Sequence, residues 1–343
     1  NVIVASGKGP EHIVHHILSQ ECAPSFVHAV ELNISENELH ELPAEIGLLV
    51  GLVKLDVSQN KLATLPPEIG KLVYLESIDC NDNILKTLPA EIGECKKLQS
   101  VLAYKNEIST LPETMGSLTE LSEVNLFNNK ILKLTPVLGK IASLTEVNLS
   151  ANKVMKVDLA AVHMWSATSV FNMFDCRILV LPILEHMKAL QELRMFGNQI
   201  REMPNFGDGL PELRILELHR NQITEIPETF FNGMPSLTKL TMSGNQLSTI
   251  PSSLAESNIE SFLVDDNKLT VIPPEVACMK SLKVLLVNGN QITSLPQDFL
   301  LNKHVQRLNL AGNPIENCDQ ILLHIERMCT SNGGMFWPPK NRG

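Results

Sequence analysis

The stretch LVKLDVSQNKLATLPPEIGKL, Leu52 to Leu72, decides how the whole chain is read. Leu52, Leu55 and Val57 follow the spacing LxxLxL, so they share one face of an extended segment while Lys54, Asp56 and Ser58 share the other. Asn60 follows, and Leu62 and Leu65 continue the apolar set up to Pro66. A proline fixes φ and starts an extended return. PEIG then predicts one helical turn, with an acid early and a terminating glycine. One strand this short cannot bury its apolar face alone, so the stretch needs stacked copies of itself.

The copies are present. The pattern LxxLxLxxNxLxxLP recurs thirteen times, with its ninth position at Asn37, Asn60, Asn83, Asn106, Asn129, Asn152, Cys176, Asn198, Asn221, Asn245, Asn267, Asn290 and Asn313. Successive positions are 23 residues apart, except for 24 then 22 around Cys176 and again around Asn245. A fixed period of this size marks a solenoid. The amide at the ninth position both donates to and accepts from backbone groups at a buried turn. Gly47, Gly70, Gly93, Gly116 and Gly139 hold the end of the helical turn, and later copies drop it.

The deviant copy is VFNMFDCRILVLP, Val170 to Pro182. Phe171 and Met173 take the two strand leucine places, and Leu181-Pro182 falls where Leu65-Pro66 falls. The repeat is intact, with a small thiol in the amide slot. Before it, residues 157–169 have lost the LP signature, which predicts a bulge on the convex side or a second contact site.

These residues resemble the leucine-rich repeat superfamily over roughly residues 29 to 317. The variant LPxEIGxL, written here as LPAEIGLL (42–49), LPPEIGKL (65–72) and LPAEIGEC (88–95), is similar to the intracellular Ras-group branch, which includes Shoc2-like and Scribble-like scaffolds. The resemblance implies an α/β solenoid, a leucine-rich repeat horseshoe with a parallel concave sheet. Its partner by resemblance is a small GTPase, a phosphatase subunit or another signalling protein. No contact residue of that branch maps onto this chain, because only scaffold positions match. The expected layout is a leader and capping helix over 1–28, repeats over 29–317, a second capping helix over 318–330, and a tail or linker over 331–343. Ile13, Ile17 and Leu18 form the apolar stripe of the first cap, and Ile321, Leu322, Ile325 and Met328 that of the second.

Composition narrows the function. The chain has 343 residues, 44% of them hydrophobic, and a net charge of −10. The acidic balance disfavours nucleic acid, whose phosphates need a basic face, and no apolar run is long enough to span a membrane. Seven cysteines, widely spaced and without a CxxC pair, point to reduced thiols in the cytoplasm. The sequons at Asn33 and Asn148 fall in predicted strands and read as chance.

Catalytic chemistry finds little support. ASGKGP (5–10) lacks the earlier glycine and the following hydroxyl that a phosphate loop needs. His12, His15 and His16 read as solvated side chains of a helix, since no third and fourth metal ligands accompany them. His219 has no nucleophile or paired carboxylate placed beside it by sequence, and Cys176 fills a structural slot. The expectation is a non-enzyme with no cofactor and no metal.

The outward strand positions are more informative. The seventh position carries Tyr104, Phe127, Phe174, Phe196 and His219 within six consecutive copies, and no aromatic or histidine elsewhere. The whole chain has only fifteen aromatics, so four on an outward column predict something that covers them. Leu102, Arg194 and Glu217 lie in the fifth column, and Lys105, Asp175 and Arg220 in the eighth. Aromatic and arginine side chains rimmed by charge have the composition of a protein interface. The alternative is that the rings stack on one another with no partner. Glu31, Glu36, Asp56, Asp79 and Asp82 make the first copies acidic, as a solvated face or as steering for a basic partner. The reading is therefore a protein-interaction scaffold; alternatives are the sensor segment of a larger kinase or GTPase, and an extracellular receptor ectodomain.

Overall fold

The computed structural model describes residues 2–7, 19, 23–134, 136–157, 162–203, 206, 209–316 and 318–339. The expected first capping helix, with His12, His15, His16 and Lys8-Gly9, lies outside them. Contacts divide the chain into two compact units, residues 1–177 and 178–343. In a repeat stack each copy touches only its neighbours, so no central core ties distant copies together.

The first unit holds eight parallel three-residue strands: β1 (Val2–Val4), β2 (Glu31–Asn33), β3 (Lys54–Asp56), β4 (Ser77–Asp79), β5 (Ser100–Leu102), β6 (Glu123–Asn125), β7 (Glu146–Asn148) and β8 (Val170–Asn172). The second holds seven: β9 (Glu192–Arg194), β10 (Ile215–Glu217), β11 (Lys239–Thr241), β12 (Ser261–Leu263), β13 (Val284–Leu286), β14 (Arg307–Asn309) and β15 (Met335–Trp337). Two α-helices, α1 (Pro274–Ala277) and α2 (Asp319–Ser331), belong to the second unit. From β2 to β8 and from β9 to β14 each strand spans positions three to five of a repeat. The middle residue is buried on the core side; Leu55, Val124 and Leu216 are 0–1% exposed. The fold is that of a leucine-rich repeat solenoid.

The asparagine ladder joins the copies. Asn83 donates from Nδ2 to the Val57, Cys80 and Asn81 carbonyls at 3.0–3.2 Å, while its Oδ1 accepts the Leu62 N–H at 2.9 Å. The same four-bond pattern recurs at Asn60, Asn106, Asn129 and Asn152. Cys176 keeps one element of it, a thiol donated to the Leu149 carbonyl at 3.5 Å.

The ends differ from the expected leader and tail. Val2–Val4 pair with Glu31–Asn33, and the Ala5 carbonyl accepts the Asn37 amide, so residues 2–7 act as a partial preceding repeat. At the other end Met335–Trp337 pair with Arg307–Asn309. Helix α2 buries Ile321, Leu322, Ile325 and Met328 before them. The turn between α2 and β15 requires its two glycines: Gly333 has φ +70°, and a Cβ on Gly334 would sit 1.9 Å from the Gln306 carbonyl oxygen. Both end strands find partners far along the chain without carrying the repeat motif, which is why the motif could not announce them.

The turn glycines act by a different route from the expected helix stop. PEIG forms a 3₁₀ turn (Pro67–Lys71), as do its equivalents Ala44–Leu48 and Ala90–Glu94, and none of their glycines has positive φ. The reason is close stacking: a Cβ on Gly93 would lie 2.6 Å from both Cβ and the carbonyl oxygen of Thr114. Gly93→Ala is accordingly expected to destabilise the first unit by about 1–3 kcal/mol, through overpacking against a backbone atom. A urea titration checks it, and an unchanged midpoint would mean that the stacked turns separate freely.

Candidate functional site

Each unit presents its own outward strand face. In the first unit the rings arise from β5, β6 and β8, just beyond each strand end. Tyr104, Phe127 and Phe174 are all half-buried, with half-buried Leu102 on β5 beside them. Phe127 and Phe174 come from alternate repeats, yet their centroids are 5.9 Å apart at 43°. Ser150 between them makes this possible. It is fully buried, and its Oγ accepts the Phe174 N–H at 3.0 Å, so no side chain fills the space between the rings. The rings therefore touch each other and still keep part of their surface in solvent.

The acidic end of this face is tied internally. Ser58 donates to Asp56 at 2.6 Å, Asn33 donates to Asp56 at 2.9 Å, and Asn81 donates to Asp79. Burial, together with repulsion from Asp56 and Glu123, raises the Asp79 pKa despite the Asn81 hydrogen bonds. Burial first, and then Asp79, Asp82 and Asp56, also raise the Tyr104 phenol. Beside the rings, on β6 to β8, Glu123, Glu146, Asn125, Asn148 and Asn172 line a shallow hollow of about 90 Å³. The sequence reading left the two glutamates out of the site, although their shared third position in adjacent repeats was visible.

In the second unit Phe196 and His219 stack face to face, 4.2 Å apart and 13° from parallel. Beside them runs a chain of charges. Arg194 bridges Glu192 and Glu217, and Glu217 also binds Lys239 at 2.6 Å. Arg194 and Glu217, read from sequence as separate contact points, are thus partners of each other. Their geometry is set before any ligand arrives.

The eighth column proves to be a turn column. Lys105, Asp175 and Arg220 have φ of 53°, 49° and 56°, and the residue at this position has positive φ in all thirteen repeats. Gly197, Gly244, Gly289 and Gly312 fill it in four of them, which was the signal in the sequence. Lys105 also pairs with Asp82 at 3.6 Å across half-exposed surface, a contact worth little in water. Residues 157–169 yield a core residue where a second contact site was one expectation. Trp165 is fully buried, donates Nε1 to the Leu138 carbonyl at 2.9 Å, and meets Phe171 edge to face.

Burial pushes the thiols of Cys95, Cys176 and Cys329 up to about 11, and that of Cys80 further still. No group of three His, Cys, Asp or Glu side chains among the described residues is placed to hold a metal. No helix among them is long and apolar enough to cross a membrane.

Comparisons agree with this architecture. The Leucine rich repeat family model matches residues 209–256 and 257–315, and a second Leucine Rich Repeat model matches 51–72. A leucine-rich repeat protein of Leptospira interrogans is similar in structure, with a TM-score of 0.76 and 28% identity, over 93% of this chain and 86% of that one. An internalin from Listeria monocytogenes is similar at TM-score 0.75 and 19% identity, over 90% of this chain and 86% of its own. The ectodomain of the Arabidopsis thaliana receptor kinase GASSHO1/SCHENGEN3 is similar at TM-score 0.75 and 22% identity; 97% of this chain matches 40% of that one. No curated protein matches the chain. The leucine-rich repeat superfamily is thus supported by family models and solved structures alike, and the fold suggests a protein-interaction role.

Proposed function

We propose that the chain is a non-catalytic scaffold that holds a signalling protein on its outward strand faces. One observation carries this reading: Tyr104, Phe127 and Phe174 keep exposed ring surface on a face where small or polar side chains would satisfy the sheet. Contact among the rings accounts for part of their burial but leaves large, rigid apolar edges in water, the usual anchors of an interface. The remaining site residues serve as rim: Leu102, Lys105 and Asp175 in the first unit, and Arg194, Glu217, His219 and Arg220 around Phe196 in the second. A small GTPase or a phosphatase subunit is the partner suggested by the Ras-group resemblance. A cytoplasmic setting is part of the same reading, supported by the six described cysteines, all unpaired.

The test is capture of partners from lysate by the parent chain and by two variants that retain their circular dichroism. One carries Tyr104→Ala, Phe127→Ala and Phe174→Ala; the other carries Phe196→Ala and His219→Ala. Loss of aromatic anchors should weaken the retained partner at least roughly tenfold, equivalent to about 1.4 kcal/mol. Identical partner sets for all three proteins would assign the rings to sheet packing alone.

The receptor-ectodomain reading keeps one point in its favour, the likeness to plant receptor ectodomains. A thiol count under denaturing, non-reducing conditions separates the two settings. Seven free thiols, one for each cysteine, are expected for the scaffold, and fewer would favour the ectodomain.

A further inference from the structure

Two consecutive repeats of the first unit carry the same short pattern from their asparagines onward: NKILK at 129–133 and NKVMK at 152–156. The Lys153 N–H donates to the Ile131 carbonyl at 2.9 Å, so the two segments lie side by side in register. Ile131 and Val154 face the core and are buried. Leu132 and Met155 point out and are 60% and 54% exposed. Lys130, Lys133, Lys153 and Lys156 are all exposed around them. The result is a compact square of four cations with two apolar side chains at its centre, on the loop edge and away from the strand face.

Several lysines elsewhere follow a pattern of pairing with a carboxylate one repeat away. Lys61 pairs with Glu38, Lys97 with Glu120, Lys105 with Asp82 and Lys283 with Glu260, each one repeat away at the same position. Lys130 follows it through Glu107 at 2.7 Å. Lys133, Lys153 and Lys156 have no carboxylate partner among the described residues. Lys153 instead follows Lys130, and Lys156 follows Lys133, one repeat along the stack, where neighbouring backbones lie about 5 Å apart. Arg177, whose N–H bonds the Val154 carbonyl, extends the row by one more cation. Lys130, Lys153 and Arg177 edge a hollow of about 420 Å³ that also meets Asn128, Cys176 and the acid Asp175.

We propose that this edge docks an acidic segment of a protein partner, whose carboxylates pair with Lys133, Lys153 and Lys156 while an apolar side chain covers Leu132 and Met155. Charge complementarity selects the occupant, and the two exposed apolar residues distinguish it from a purely ionic one. An anionic membrane fits less well. The chain carries −10 overall, which disfavours a broad anionic surface more than a narrow peptide. The proposal stands apart from the strand-face reading, because it uses other residues on another side of the repeat.

The experiment measures binding of the full chain to a short fluorescein-labelled peptide of repeating Glu-Leu-Glu sequence, by anisotropy, against a Lys-Leu-Lys control. The parent should bind the acidic peptide alone. Lys153→Glu with Lys156→Glu should weaken binding at least tenfold while the circular dichroism stays that of the parent. Leu132→Ser with Met155→Ser should weaken it at unchanged charge. The variant Tyr104→Ala, Phe127→Ala, Phe174→Ala should bind as the parent does. The proposal is overturned if the parent ignores the acidic peptide, if the lysine reversal leaves affinity unchanged, or if the ring variant loses the peptide. Lysine-dependent sedimentation with phosphatidylserine vesicles, in the absence of peptide binding, would reassign the edge to membrane.

Discussion

Trp165→Ala is expected to destabilise the first unit by about 3–5 kcal/mol, the range for truncating a large buried aromatic. The indole is fully buried, its ring meets Phe171 at 5.4 Å and 85°, and its N–H occupies the Leu138 carbonyl. Alanine would leave a cavity and an unpaired carbonyl together. Trp165→Phe separates the two effects: it restores most of the ring and loses the hydrogen bond, at about 1–2 kcal/mol. Repeat stacks need not unfold in one step, so hydrogen exchange at β7 and β8 is the suitable readout alongside a urea titration. A contact site would behave in the opposite way, losing a partner while keeping its protection. Unchanged exchange in Trp165→Ala would restore residues 157–169 as a candidate surface.

The second large effect is at the ladder. Asn129→Ala removes an amide whose Oδ1 accepts the Ile108 N–H at 2.9 Å and whose Nδ2 donates to the Ala103, Leu126 and Phe127 carbonyls at 2.9–3.4 Å. A buried backbone group left without a partner costs about 1–3 kcal/mol, and several are orphaned at once. A loss of about 3 kcal/mol or more is expected, with exchange rising first at Ile108 and at β6. Cys176→Asn is the converse. The thiol donates one long hydrogen bond, to Leu149, so restoring the amide should stabilise the unit by about 1 kcal/mol. If Asn129→Ala proves neutral, water satisfies the turn and the ladder is not the source of repeat cohesion.

The candidate site was legible in part. Tyr104, Phe127, Phe174, Phe196 and His219 could be placed on one outward column because side-chain alternation in a strand is a local property. Their relations to one another could not. Phe127 reaches Phe174 only because Ser150 is small and buried, and Arg194 is bound to Glu192 and Glu217 because the strands set their spacing. The eighth column, read for Lys105, Asp175 and Arg220, is also a column of turns with positive φ. The pattern of NKILK and NKVMK is written in the sequence, but their lysines gather on one edge only once the two segments lie side by side.

The period of 23, the buried strand positions and the asparagine ladder were determined by the sequence by itself. Each depends on a contact with the next copy, and a repeat writes that contact into its own spacing. Only the tertiary structure decided the roles that depend on lateral distance. Gly93 is needed because Thr114 of the next copy leaves no room for a Cβ, not because of its φ. Val2–Val4 and Met335–Trp337 become strands because unpaired backbone edges of the end repeats accept them. A fixed period specifies which residues become neighbours; the distances between their atoms, and so their pairing or repulsion, arise only when the copies stack.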